Sequence, residues 1–299
     1  MLKVLIKRNI KLFFKDKGMI FTSLITPMIL LVLYVSFLGN VYRMSFTDNL
    51  PAFIDIPDKV IDGLVGGQLI SSILAVSCVT VAFCSNMLMV QDKANGCIRD
   101  ITVSPVSGAV LAVAYYVATL ASTLIICFSA TALCLGYLAV TGWYLTVTDV
   151  LLILSDVLLL ALFGTALSSV INFFLSSQGQ ISAVGSIVSS TYGFVCGAYM
   201  PISQFSEGLQ KVLAFLPGTH GTVLVRNHSM NGAISELEAL GVPADAVNAL
   251  RDAVDCNLYF FDTRVSIGAM YATVGITVAL LIAAYIILTA VKIKKSHIS

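Results

Sequence analysis

The sequence predicts an all-α integral membrane protein with six spanning helices, and three observations carry this. Of the 299 residues, 58% are hydrophobic and only 11% are charged, with a mean hydropathy of +0.94; soluble domains carry about 25% charge. Apolar stretches recur that can cross a hydrocarbon core of roughly 30 Å, which takes about 20 helical residues. Basic residues gather at the two ends, which the positive-inside rule assigns to the cytoplasm, and an even number of spans agrees.

At the N-terminus, Lys3, Lys7, Lys11 and Lys15 recur every four residues, with Leu2, Leu5, Ile6, Leu12 and Phe13 on the other side. Residues 1–18 therefore read as an amphipathic helix lying on the membrane surface; a plain topogenic basic tail is the alternative. The full-length apolar run that follows and the lack of a small-residue cleavage site argue against a signal peptide. The first span covers 19–39. The loop 40–63 lies outside, with Asp48, Asp55, Asp58 and Asp62 against Arg43 and Lys59. A second span covers 64–90, and 91–104 returns to the cytoplasm.

The uncharged run 101–148 is too long for one helix. Its "TGWYLT" holds the only tryptophan, Trp143, beside Tyr144, and such residues favour the membrane interface. This divides the run into a third span over 107–140 and a loop before the fourth, 151–175. The fifth span, 179–200, is short and rich in Ser and Gly. An acid-rich outer region, 201–264, precedes the sixth span, 265–291, and Lys292, Lys294 and Lys295 close the chain. Residues 1–299 form one membrane domain on this reading, and no sequence feature calls for a nucleic-acid partner.

Several chemistries lack their motifs. The seven cysteines form no CxxC pair, so zinc or redox chemistry is not indicated. His220, His228 and His297 are too scattered for a metal site. There is no P-loop, no G-x-S-x-G and no H-E-x-x-H. "NHS" at 227–229 is a formal glycosylation acceptor and no more. Asp149 and Asp156 are acids near the fourth span, seven residues and so two helical turns apart. Asp156 is the acid well inside a span, which makes it a functional candidate or a polar contact within the bundle.

The stretch "QDKANGCIRDITVSPVSG" (91–108) carries most of the charge in the middle of the chain. As a helix over 91–102, it sets Ala94, Cys97, Ile98 and Ile101 on one side. Asp92, Lys93, Asn95, Arg99 and Asp100 take the other. Ser104 then suits an N-cap, with Pro105 at the first position of the third span. An ordinary connecting loop is the other reading. Along the second span Ser71, Ala75, Cys78, Ala82 and Ser85 recur at helical spacing; Ser182, Ser186, Ser189, Gly193 and Cys196 do so along the fifth. Small residues of this kind allow close helix packing. They could equally line a path, with Phe83, Met87, Phe194 and Tyr199 as adaptable apolar contacts.

This layout resembles the permease subunits of type-2 ATP-binding-cassette (ABC) transporters across nearly the whole chain. Ser104–Ser107 match the family's Ser-Pro-Val-Ser and Gly96 matches its glycine. Gln91 and Asp92 stand where acids are expected, and Cys97 replaces a threonine. "GAYMPISQFSEGLQKVLAFLPGTHGTVLVRN" (197–227) resembles the family's re-entrant outer segment. There Pro201 would end the span, Pro217 would mark the break and Arg226 would end the returning helix; residues 235–262 would add a small helical cap.

The resemblance implies an exporter of two permeases and two separate ATPase subunits, with ATP and Mg held by the ATPases and no cofactor in this chain. The site residues it implies are Asp92, Cys97, Ile98, Arg99, Ile101, Ser104 and Pro105 in a coupling helix docked on the ATPase. For the substrate path it implies Ser71, Cys78, Phe83, Met87, Ser182, Ser186, Ser189 and Phe194. Family cargoes range over drugs, peptides, lipids and glycans, and the expected location is a bacterial cell membrane with both termini cytoplasmic. The alternative is a secondary transporter or channel working without ATP, which predicts broken helices at mid-membrane and two related halves.

Overall fold

A computed structural model describes residues 1–50, 54–103, 106–261 and 263–296. The chain is helical almost throughout. An amphipathic helix α1 (Leu2–Lys15) turns at Asp16, whose carboxylate caps α2 (Lys17–Leu33) by accepting from the Gly18 and Met19 amides. A π-helical turn, Tyr34–Leu38, joins α2 to α3 (Gly39–Asn49). Next come α4 (Asp58–Ser85), α5 (Met87–Ala94), α6 (Cys97–Val103), α7 (Gly108–Thr141), α8 (Val147–Phe174) and α9 (Gln178–Val195). The remainder is α10 (Glu207–Leu213), α11 (Pro217–Ala239), α12 (Ala244–Ala253), the two-residue strands β1 (Tyr259–Phe260) and β2 (Thr263–Arg264), and α13 (Ile267–Ser296). The strands pair antiparallel, Tyr259 opposite Arg264 and Phe260 opposite Thr263.

Among the described residues, five helical stretches are long and apolar enough to cross a membrane: Lys17–Asp48, Asp58–Ala94, Gly108–Thr141, Val147–Phe174 and Ile267–Val291. The fifth expected span corresponds to α9, which is helical over 18 residues but is diluted by Gln, Ser and Gly and is not among the five. All-α membrane architecture follows directly; the sixth span does not.

The central helix is α4, buried along nearly its whole length and packed by α2, α7, α8, α9 and α11. Its small residues make this possible. A β-carbon on Gly164 of α8 would stand 2.7 Å from the Cys78 carbonyl oxygen and 2.9 Å from the Val79 α-carbon. Close backbone approach of this kind is the established use of small-residue stripes in membrane helices. The second-span stripe therefore packs.

Two helix starts follow local chemistry. Thr146 and Asp149 form a capping box on α8, and Ser177 and Gln180 form one on α9; each satisfies amides that a helix start leaves without partners. The start of α7 differs from expectation. Val106 and Ser107 are non-helical, and the Ser107 hydroxyl accepts from the Val110 amide at 3.4 Å. The cap is thus Ser107, three residues after Ser104. Ser104 and Pro105 themselves lie outside the described residues.

Candidate functional site

The segment between the second and third expected spans is an elbow of two helices. The expected single helix over 91–102 breaks at Gly96, whose φ of +78° ends α5 in a left-handed residue before α6 begins. Glycine adopts this conformation without steric cost, which is why it so often follows a helix end. The break also re-aims the side chains. Asp92, expected on a solvent face, is 5% exposed and faces inward. It accepts a paired hydrogen bond from the Arg8 guanidinium, at 2.6 and 3.0 Å, and a third from the Tyr115 hydroxyl at 2.6 Å. One carboxylate thus joins the elbow to α1 and α7. Lys93 donates to the carbonyls of Asn172, Phe173 and Leu175 at 2.9, 2.8 and 3.2 Å, which ties the elbow to the C-terminal end of α8. A cation there also complements the helix dipole. Just above, buried Asn86 donates to Ser168 and Ser169, at 3.1 and 3.0 Å.

The apolar pair is placed differently from expectation too. Ile98 and Ile101 are half-buried against the chain's own cluster around Leu5, Leu111 and Tyr285. Cys97 is half-buried. The outward face of the elbow instead carries Ala94, Asn95, Arg99, Asp100 and Val103, with Val103 88% exposed.

At the other end of the bundle, Pro217 does begin a helix, at N1 of α11. Arg226 does not end it: α11 runs on to Ala239, and Arg226 is fully buried in its middle. Its guanidinium donates to the Gly197 carbonyl at 2.7 Å and the Val254 carbonyl at 2.9 Å, and lies 3.4 Å from both the Asp255 carboxylate and the Ser71 hydroxyl. Asp255 in turn accepts from the amides of Ile202 and Ser203, just after Pro201. Burial raises the Asp255 carboxyl above its ordinary range, against the pull of Arg226 and these amides. One buried arginine therefore binds together the end of α9, the turn after Pro201, the cap and α4. Asn227 donates to the Val223 and Cys256 carbonyls at 2.9 and 2.6 Å. Its side-chain amide is thus engaged in contacts within the chain.

Asp156 is 1% exposed. His228 Nδ1 lies 2.6 Å from its carboxylate, and the Tyr271 hydroxyl donates to the other oxygen. Asp156 thus makes a polar contact within the bundle that joins α8, α11 and α13. Asp149, besides capping α8, accepts from Asn231 at 2.9 Å.

A side groove of about 560 Å³ lies between α2, α4 and α9, lined by apolar residues of α2 with Tyr34, Ser72, Ser186, Ser189, Phe194 and Tyr199. Of the residues expected along a path, Ser186, Ser189 and Phe194 line it, and Ser182 is exposed on the same helix. Ser71, Cys78 and Phe83 do not line it. Ser71 meets Arg226, Cys78 points its thiol at the Val157 carbonyl, and Phe83 is buried. Met87 is half-buried and lies close to Gly185 of α9.

Sequence reasoning missed the partners: Arg8, Lys93, Tyr115, Asp255, His228 and Tyr271. One signal was available. Arg8 is the only arginine in a run of lysines, and a planar guanidinium suits two-point binding of a carboxylate better than an ammonium does.

Long apolar helices packed round a buried central one, with a side groove and a charged elbow tied into the bundle, define an all-α membrane protein. The chain matches the family model for the ABC-2 type transporter over residues 1–228 and belongs to that family, whose membrane domains are the permease components of type-2 ABC transporters and work with ABC ATPase partners. No curated protein matches the chain.

Proposed function

We propose that this chain is the permease of an ATP-driven exporter, pairing with a second permease and taking its energy from separate ATPase subunits at the α5–α6 elbow. The supporting observation is the anchoring of that elbow through Asp92 and Lys93 to α1, α7 and α8. A segment held by three helices passes a push to all of them, where a loose loop would absorb it. The ATPase meets the outward face of the elbow, around Arg99, Asp100 and Val103, with Ile98 and Ile101 at its edge. Both termini are cytoplasmic on this reading, the membrane is a bacterial cell membrane, and ATP and Mg belong to the ATPase. The groove of α2, α4 and α9, apolar with a serine edge, suits an amphipathic cargo better than a small ion.

The test is reconstitution in vesicles. Transport should need both ATP and the separate ATPase. Flux through the purified chain alone, driven by an ion gradient, would overturn the proposal in favour of a secondary transporter or channel.

A further inference from the structure

The outward side of α1 carries a row of charge that the elbow does not use. Lys3, Lys7, Lys11 and Lys15 are all exposed, while Leu5, Asn9 and Phe13 are buried on the opposite side of the helix. Among the described residues, none of these four lysines takes part in an ion pair. Asp16, the carboxylate next in sequence, is turned to the Gly18 and Met19 amides. Like charges four residues apart on a helix repel one another, and negative charge brought from outside the chain relieves this.

Position and neighbours indicate the source of that charge. Only Asp16 separates α1 from the stretch Lys17–Asp48, which is long and apolar enough to span. The helix therefore stands at the level where the headgroup layer begins. Helical spacing sets Val4 and Phe14 among the lysines on the outward side, 69% and 36% exposed. Apolar groups between cations match a bilayer surface, which offers phosphates above acyl chains. Lysine stems follow such apolar surface while their ammonium groups stay among the headgroups. From the same 14-residue helix Arg8 reaches Asp92, at 2.6 and 3.0 Å. One short rigid element thus joins a free cationic face to the anchor of the elbow.

We propose that the lysine row of α1 binds the anionic phosphodiester headgroups of the surrounding membrane, and that this contact steadies α1 and, through Arg8 and Asp92, the elbow. The partner is a lipid surface of phosphatidylglycerol type. A zwitterionic phosphatidylcholine surface offers the row no net charge, so the composition of the membrane sets how firmly the elbow is held. The site lies in this chain alone and does not rest on the exporter reading.

Hydrogen–deuterium exchange of the purified full chain in nanodiscs tests this without reference to transport. The discs hold phosphatidylcholine alone or an equal mixture with phosphatidylglycerol. Each lysine at an anionic surface favours the bound state about fivefold, so amides of α1 should exchange at least about tenfold more slowly in the anionic discs, with amides of α5 following. The quadruple variant Lys3→Gln, Lys7→Gln, Lys11→Gln, Lys15→Gln keeps helix propensity and should exchange alike in both discs. The corresponding quadruple Lys→Arg variant should keep the difference. In Asp92→Ala, α1 should still respond to lipid charge and α5 should not. Equal wild-type exchange in the two discs, or a difference that survives in the quadruple Gln variant, would overturn the lipid site. Protection of α1 that ignores lipid charge and comes only with added ATPase would give the row to a protein partner and overturn it too. An α5 that does not follow α1 in the wild type would overturn the link to the elbow.

Discussion

Replacing Asp92 by alanine removes the acceptor at the centre of the elbow's anchorage. Three hydrogen bonds are lost, two from Arg8 at 2.6 and 3.0 Å and one from Tyr115 at 2.6 Å. Hydrogen bonds to a charged group contribute about 1.5–3 kcal/mol each, but the Arg8 side chain is 32% exposed and can recover water, which discounts its share heavily. Tyr115 is 3% exposed and cannot. Its orphaned hydroxyl costs about 1–3 kcal/mol, so the total falls at about 2–4 kcal/mol. Hydrogen–deuterium exchange in detergent reads this locally. Amides of α1 whose opening breaks the knot should exchange about 30-fold to several-hundred-fold faster, since opening free energies set exchange rates. Tyr115→Phe removes the donor that Asp92→Ala strands, so the double variant should be less destabilised than the sum of the singles. ATP-driven transport by Asp92→Ala should fall with the loosened elbow. Wild-type exchange in α1 together with wild-type transport would refute both the anchorage and its role.

Arg226→Met should cost about 3–5 kcal/mol, because it leaves the Asp255 carboxylate and the carbonyls of Gly197 and Val254 buried without their donor. A thermal unfolding midpoint equal to wild type would show that the guanidinium does not hold the cap. Cys256 is 2% exposed and should resist a membrane-impermeant thiol reagent on intact cells. Asn248→Cys, on the exposed face of α12, should be labelled while Cys97 is spared, and the reverse pattern would invert the orientation.

What the sequence determined by itself is what depends on neighbours along the chain. Apolar runs of spanning length became α2, α4, α7, α8 and α13, Lys spacing became α1, and Pro217 became the first residue of α11. Even the break at Gly96 was legible in Asn95–Gly96, a pair that ends helices readily, though the surrounding periodicity concealed it. What only the tertiary structure decided is which polar groups meet. Arg8 and Asp92 are 84 residues apart, Asp156 and His228 are 72, and Ser71 and Arg226 are 155. A carboxylate carries the same letter whether it faces water or a buried arginine, so Asp92 read as a solvent-face residue until α1 and α7 closed round it. The serine stripes divided for the same reason. Ser71 and Cys78 went into packing because α8 and α11 cover that side of α4. Ser186 and Ser189 were left on a groove because α2 and α9 do not close over it. Helical spacing puts residues on one face, and only the neighbouring helix decides whether that face is a contact or an opening.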